Sequence, residues 1–160
     1  MRRRTFVTAA LGLAAIPASA LAQGIDLSGP SATIPPHITP ENDLERSFVN
    51  AMYFDPNERA VFPHVLLRSE VAVAMATDAP DSPPKMATTS TGFRGVAMYT
   101  SPSRLTSVLG PGTQQLLLTG REALTRYRDQ NIVLNEGCMG PYLTLEPADI
   151  ERYLAMSDNG

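Results

Sequence analysis

Two histidines and a single cysteine are the side chains in this sequence that are best suited to nucleophilic or acid–base chemistry. A serine or cysteine nucleophile needs a neighbouring base, which is usually histidine. His37 follows Pro35-Pro36, and His64 falls in a helical pattern, where a helix-surface or half-buried position is expected. No Gly-x-Ser-x-Gly motif occurs, so the sequence does not predict a hydrolase. A Cys138–histidine pair stays formally open.

Metal and phosphate motifs are missing from the sequence. There is no Cys-x-x-Cys, no His-Glu-x-x-His and no calcium-binding loop, and neither glycine-rich phosphate loop occurs. The adjacent sulfur side chains of Cys138 and Met139 are soft ligands of the kind copper prefers. However, the other methionines are scattered, and Met75 and Met98 fall inside strand patterns, which is typical of core filling. We predict no catalytic residue, no metal site and no cofactor.

The acidic residues and the lone cysteine have structural explanations. Glu41, Asp43, Glu58 and Asp149 fall in predicted first turns of helices, where a negative charge favours the helix dipole. Because Cys138 is the only cysteine, an intrachain disulfide is excluded. A buried, inert thiol is the expected state of this residue.

Two helices are predicted in the first half of the chain. Thr39-Pro40 offers a cap and a proline for a helix ending near Tyr53. Asp55-Pro56-Asn57-Glu58 repeats this start signal as a capping box, and Pro63 predicts a kink or a restart in the second helix. The expected apolar faces are Leu44, Phe48, Ala51 and Met52 in the first helix and Val61, Val65 and Leu66 in the second.

Strands and helices alternate along the rest of the chain. Strands are expected over 70–76, 95–100, 115–118, 132–134 and 142–145. Helices are expected after Ser101-Pro102, over 121–129 and from Pro147. The segment from Asp78 to Gly92 is rich in proline, serine and threonine, which predicts a long mobile loop. Together these elements predict a single layered α/β (α+β) domain with a mixed sheet flanked by about five helices.

The first 22 residues have the three parts of an export signal. Arg2–Arg4 are basic, residues 6–16 are apolar, and Ala20-Leu21-Ala22 provides a cleavage site after Ala22. The apolar run is shorter than the roughly 20 residues of a membrane-spanning helix, so no permanent anchor is expected. Arg3-Arg4-Thr5-Phe6-Val7 resembles the twin-arginine pattern, and both the twin-arginine and the Sec route stay open. We expect a periplasmic or secreted protein with a flexible lead-in over 23–38 and a domain over 39–157.

Charge argues against nucleic acid as a partner. Removal of the three leader arginines leaves nine arginines and Lys85 against 16 acidic residues, a net charge of −6. The remaining basic residues form no cluster, whereas binding to a phosphate backbone requires one.

Three blocks of sequence together resemble one family, the N-terminal domain of the SseB (enhanced serine sensitivity) proteins. The first block, residues 42–71, includes Phe62-Pro63-His64 and resembles the opening helix pair that runs into a first strand. The second is Tyr99-Thr100-Ser101-Pro102-Ser103-Arg104-Leu105, similar to the strand, cap and helix of the family. The third is Ile132-Val133-Leu134-Asn135-Glu136-Gly137, which resembles an apolar strand ending in Leu-Asn-Pro-Gly.

This resemblance covers residues 42–156 and implies a small α/β domain without an established catalytic activity. Glu136 stands where the family usually has proline, and Cys138 stands where serine is common. No catalytic residue is therefore carried over. The export signal also sets this chain apart, because familiar members look cytoplasmic.

These observations predict a non-enzymatic module that binds a protein or peptide partner. The expected interaction surface is the turn that contains Asn135, Glu136, Gly137 and Tyr142, together with the loop over 78–92. The alternative is a small-ligand-binding protein or enzyme whose site forms only in the fold, for example Asn135 with Arg94 or Arg104 around an anion. A copper or redox role for Cys138 is a third hypothesis.

Overall fold

The computed structural model describes residues 38–53, 55–79 and 81–156. The predicted signal peptide with its cleavage site at Ala22, His37 and the lead-in up to residue 37 lie outside these described residues. Helices and strands follow in the order α1 (Asp43–Tyr53), α2 (Glu58–Arg68), β1 (Glu70–Ala74), β2 (Met86–Thr88), β3 (Arg94–Tyr99), α3 (Pro102–Leu109), β4 (Gln115–Thr119), α4 (Gly120–Arg126), β5 (Ile132–Leu134), β6 (Leu143–Leu145) and α5 (Pro147–Leu154). The described chain is a single α+β domain, which confirms the predicted fold class.

All six strands belong to one mixed sheet. Its order is β4-β1-β3-β5-β6, and β2 pairs with the first half of β3. β1 is antiparallel to both β3 and β4, and β6 is antiparallel to β5. β3 and β5 are parallel neighbours, with Met98 opposite Leu134. The carboxyl ends of these two strands therefore meet at the same edge of the sheet.

Side chains alternate between two unequal layers. One face carries Val71, Val73, Val96, Met98, Ile132 and Leu134, which pack against α1, α2, α4 and α5 in the main core. The other face carries small side chains beside Tyr99, and Leu105 of α3 covers Ala72, Ala74 and Ala97. Because β1 is covered on both faces, its last four residues are fully buried, as its unbroken apolar sequence predicted.

The two helical crossovers explain this division of the layers. The β3–α3–β4 and β4–α4–β5 connections each join parallel strands, and they run in opposite directions along the sheet. Right-handed crossovers that run in opposite directions must place their helices on opposite faces. Accordingly, Leu105 of α3 and Leu124 of α4 belong to different clusters.

The start of the first helix differs from the prediction. α1 begins at Asp43, and Asn42 caps it, because the Asn42 Oδ1 atom accepts a hydrogen bond from the Glu45 N–H at 2.8 Å. The expectation that Thr39-Pro40 starts this helix was wrong, since a stronger capping residue follows three positions later. The cap predicted at Ser101 is confirmed, with its Oγ accepting from the Arg104 N–H at 3.0 Å.

The second helix also corrects the sequence reading. α2 runs without a break through Pro63, so no restart occurs there. Its buried face includes Phe62, Leu66 and Leu67, whereas Val61 is 46% exposed. Phe62 stacks at 5.2 Å from Phe48 of α1, and this packing sets which face of the helix is buried. His64 is half-buried on this helix, as expected.

The helix start expected at Asp55 takes another form. The Asp55 carboxylate accepts a hydrogen bond from the Asn57 N–H at 2.8 Å, and the Glu58 N–H donates to the Asp55 carbonyl at 3.0 Å. α2 then begins at Glu58 with Asn57 as its cap residue, and this cap makes no side-chain bond. A turn therefore replaces the predicted capping box.

The segment from Asp78 to Gly92 is not a strandless loop. It contains β2, and Lys85 links two strands, since its N–H donates to the Ala74 carbonyl at 2.7 Å and its carbonyl accepts from the Ala97 N–H at 2.9 Å. With only three residues and no apolar alternation, β2 left no signal in the sequence.

Among the described residues, no helix combines the length and the apolar character needed to cross a membrane.

Candidate functional site

The candidate site lies where the carboxyl ends of β3 and β5 meet. After β3 the chain turns into α3 on one face, whereas after β5 it enters the turn over 135–142 that leads to β6. Open sheets commonly bind ligands at such a point, where the connections of neighbouring parallel strands diverge. In this chain, side chains from both connections fill the junction.

Asn135 and Thr100 form the buried centre of this junction. The Asn135 Oδ1 atom accepts hydrogen bonds from the Thr100 N–H at 2.9 Å and from the Thr100 hydroxyl at 3.2 Å. The Asn135 Nδ2 atom donates to the Thr100 Oγ1 atom at 3.0 Å. Asn135 has a φ of 61°, a left-handed conformation that asparagine tolerates better than most residues. The side chain of Asn135 therefore fixes the start of the turn over 135–142 to the residue that follows β3.

The turn that follows Asn135 is held by two further hydrogen bonds. The Cys138 N–H donates to the Asn135 carbonyl at 3.2 Å, and the Tyr99 hydroxyl donates to the Glu136 carbonyl at 3.3 Å. Burial raises the pKa of Tyr99 to about 12, which keeps this donor protonated. Gly137 has a φ of 79°, and a Cβ atom there would lie 2.9 Å from Val108 Cγ1, so any other residue would strain the backbone and displace the Val108 side chain.

The tip of this turn, residues 136–142, exposes an apolar side chain. Met139 is 68% exposed, more than any other large hydrophobic side chain in the described part of the chain. At the base of the tip, the Glu136 Oε2 and Tyr142 Oη atoms are buried without a hydrogen-bond partner among the described residues. Burial raises the pKa of the Glu136 carboxyl. The tip thus combines exposed apolar surface with unused polar atoms.

The four predicted surface residues take different positions in this turn. Asn135 is buried, Glu136 and Tyr142 are half-buried, and Gly137 is exposed. Asn135 therefore shapes the surface without forming part of it. Met139, the exposed apolar residue of the tip, was not among the predicted residues, although its place between Gly137 and Gly140 in a turn was visible in the sequence.

An ion-pair cluster lies beside the junction, between α1 and α3. Two nitrogens of the Arg104 guanidinium bind the two oxygens of the buried Glu45 carboxylate, with 2.7 Å from Nε to Oε1 and 3.0 Å from Nη2 to Oε2. Nε also lies 3.5 Å from Glu41 Oε1, and Nη2 donates to the Thr39 carbonyl at 2.9 Å. The hydrogen bond to Glu45 raises the pKa of Arg104. Arg104 thereby ties the start of α1 to α3.

Glu41 places a carboxylate at the start of α3. It accepts hydrogen bonds from the Ser101 hydroxyl at 2.7 Å and from the Ser103 hydroxyl at 3.1 Å. A helix N-terminus attracts anions because its first N–H groups are unpaired. The Glu41 carboxylate is therefore held beside the first turn of α3, where a negative charge favours the helix dipole.

The arginines of the small-ligand hypothesis do not converge on Asn135. Arg94 begins β3, whereas Asn135 lies beyond the far end of that strand, because Met98 accepts a hydrogen bond from the Asn135 N–H. Arg104 lies at the correct end, but Glu45 and Glu41 engage its guanidinium. An anion at this point would have to displace those carboxylates.

Cys138 is half-buried beside this cluster, and its thiol is held protonated. Burial is the main cause that raises its pKa to about 11; Arg104 opposes this shift, and the carboxylates of Glu45, Glu41 and Glu136 add to it. Thiolate is the nucleophile and the metal ligand, so this environment disfavours both roles at neutral pH.

The other residues proposed for chemistry do not join Cys138. His64 belongs to α2, whose buried side chains pack in the main core, whereas Cys138 packs against the cluster on the α3 face of the sheet. Within the described ranges, no three histidine, cysteine or acidic side chains lie close enough together to hold a metal ion.

No protein-family model matches the sequence, and no curated protein or solved structure matches it either. The three sequence blocks described above nevertheless meet at the junction. The Asn42 Nδ2 atom of the first block donates to the Thr100 carbonyl of the second at 2.9 Å, and Thr100 bonds to Asn135 of the third. Hydrogen bonds thus link the three blocks at the junction.

Proposed function

We propose that this chain is an exported, non-catalytic domain that binds a protein or peptide partner through the tip of its β5–β6 turn, residues 136–142. The observation that carries the proposal is the exposure of Met139 on a turn braced from below by Asn135 and from the side by Tyr99. An exposed apolar residue on a fixed turn costs little ordering entropy when a partner covers it.

The chemistry of the tip suits a protein surface. Methionine is flexible and polarisable, so it adapts to an irregular apolar pocket. The Glu136 Oε2 and Tyr142 Oη atoms are buried in the free chain, so a partner reaches them only if the side chains of the turn rearrange. We therefore expect a partner with an apolar pocket that receives Met139.

A capture experiment tests this function. The exported chain is immobilised and exposed to periplasmic extract of its source organism, in parallel with Met139→Asp and Val61→Asp variants. Val61 is an exposed apolar residue on α2, so its variant controls for added charge. We expect wild type and Val61→Asp to retain the same protein and Met139→Asp to lose at least about tenfold of it. Equal retention by all three, or none by wild type, contradicts the proposal.

Export rests on the pattern of residues 1–22, which lie outside the described residues. We expect the protein recovered from the periplasm to begin at Gln23, which intact-mass measurement checks. Replacing Arg3 and Arg4 by lysine separates the two routes: loss of export assigns the twin-arginine route, and normal export assigns the Sec route. Protein that keeps its leader in the cytoplasm contradicts the proposed location.

We also propose a relationship with the SseB N-terminal domain, supported by the order of the three sequence blocks. That relationship adds no activity to the proposal. A thermal-shift screen with metabolites tests the small-ligand alternative, since a ligand that binds the folded chain raises the melting temperature. We expect no reproducible rise, and a rise abolished by Arg104→Gln favours the alternative.

A further inference from the structure

β4 forms an open edge of the sheet. Among the described residues it pairs with β1 alone, in an unbroken register of five residue pairs from Glu70–Thr119 to Ala74–Gln115. Hydrogen bonds from the Met75 N–H to the Gln114 carbonyl and from the Gly120 N–H to the Ser69 carbonyl show which residues of this segment bond to β1. Antiparallel pairing alternates, so the backbone groups of Gln115, Leu117 and Thr119 point away from β1.

This edge has none of the usual devices that prevent strand pairing. Proteins commonly protect edges with charges, proline, bulges or very short strands. β4 is the five-residue sequence Gln-Leu-Leu-Leu-Thr, without charge, proline or bulge. Leu116 and Leu118 pack on the main core, whereas Leu117 projects from the opposite face and is 44% exposed. β6, the strand at the other end of the sheet, has only three residues.

We propose that two copies of this chain associate through β4, as antiparallel strands related by a two-fold axis at Leu117. In this register each Leu117 N–H donates to the other Leu117 carbonyl. The backbone pairing ends before Thr119, which caps α4 and whose N–H donates to Glu122 Oε2 at 2.8 Å. The pairing therefore leaves the start of α4 intact.

The strand is complementary to itself in side chains as well. The two exposed Leu117 side chains meet on the same face of the joined sheet, and Gln115 stands opposite Thr119. No like charges face each other along the strand, since none of its residues is charged. A second copy therefore pairs the outward backbone groups of Leu117 and covers its exposed side chain.

The expected dimer is weak and strengthened by salt. One strand pair buries less area than a standard interface, so we expect association only at high protein concentration. Both copies carry net negative charge, and salt screens their repulsion. A dimer held by ion pairs would respond to salt in the opposite direction. This inference is independent of the proposed partner site at Met139.

A charge-swap experiment tests the dimer by sedimentation of the exported chain from about 0.01 to 0.5 mM. We expect wild type and the control Val61→Lys to dimerise, and Leu117→Lys and Leu117→Glu to remain monomeric separately. An equimolar mixture of the two Leu117 variants recovers the dimer, which a folding defect would not explain. A wild-type chain that is monomeric at 0.5 mM, or a mixture that stays monomeric, overturns the proposal.

Disulfide trapping tests the register in a Cys138→Ser background. A hydrogen-bonded antiparallel pair places its Cα atoms about 5.5 Å apart, which a disulfide can bridge. Leu117→Cys is therefore expected to cross-link two copies under mild oxidation. Gln115→Cys serves as the matched control, because its symmetry mate lies four residues along the strand and out of reach. Equal cross-linking of the two variants overturns the proposed register.

Discussion

Asn135 and Thr100 are joined by three hydrogen bonds that connect the carboxyl ends of β5 and β3. Asn135→Ala leaves the buried Thr100 N–H unpaired, which costs about 1–3 kcal/mol of folding free energy. It also places alanine at a positive φ, which costs about 1 kcal/mol more. We expect urea unfolding to show a loss of about 2–4 kcal/mol. Asn135→Gly, which keeps the φ but not the bonds, separates the two terms and should lose less. A loss below about 0.5 kcal/mol for Asn135→Ala contradicts this role.

Arg104 and Glu45 provide a second test of what holds the junction together. Arg104→Leu leaves the Glu45 carboxylate buried without its main partner, and we expect a loss of about 3–5 kcal/mol in unfolding free energy. The double variant Arg104→Leu with Glu45→Leu also removes the buried, unpaired carboxylate of Glu45, so it should recover part of the lost stability. If the double variant is less stable than the sum of the single changes, the pair is not coupled as described.

The Cys138 thiol should react slowly and should make stability depend on alkaline pH. With a pKa of about 11, roughly one thiol in a thousand is ionised at pH 8, so alkylation is expected to be much slower than in urea. Burial favours the neutral thiol in the folded state, so stability falls as pH rises from about 9 to about 11. Cys138→Ser should lack this part of the fall. Equal alkylation rates for folded and unfolded protein would refute the assignment.

Gly120 lies where the start of α4 approaches the backbone of α2 closely. A Cβ atom at this position would lie 2.0 Å from the Leu66 carbonyl oxygen, so Gly120→Ala must push the two helices apart. We expect a loss of about 3 kcal/mol or more. Gly112→Ala is the matched control, because no atom lies within 4 Å of its added Cβ. Circular dichroism melting curves that fail to distinguish the two variants would contradict this packing.

Much of the fold followed from local sequence signals. The alternating and unbroken apolar runs predicted five of the strands, and the Ser101-Pro102 cap predicted α3, because these features depend on a few neighbouring residues. The start of α1 was misplaced because two capping candidates, Thr39 and Asn42, lie close together. Only the bond from the Glu45 N–H to Asn42 distinguishes them.

The missed features depend on contacts between distant segments. β2 exists because Lys85 bonds to both Ala74 and Ala97, which no local pattern reveals. The buried face of α2 is set by the Phe48–Phe62 contact between helices. The site was predicted in part, since the turn after β5 was named, but its exposed tip at Met139 and the saturation of Arg104 by Glu45 required the fold.

Photo-cross-linking at position 139 is the most direct measurement of the proposed interaction surface. The amino acid benzoylphenylalanine is incorporated at position 139 or, as a control, at the exposed position 61, and each variant is irradiated in the periplasm of the source organism. Our account predicts one distinct protein adduct from position 139 that position 61 does not give, and a weaker adduct when Asn135→Gly loosens the turn. The same adducts from both positions, or none from position 139 in a folded and exported chain, would contradict it.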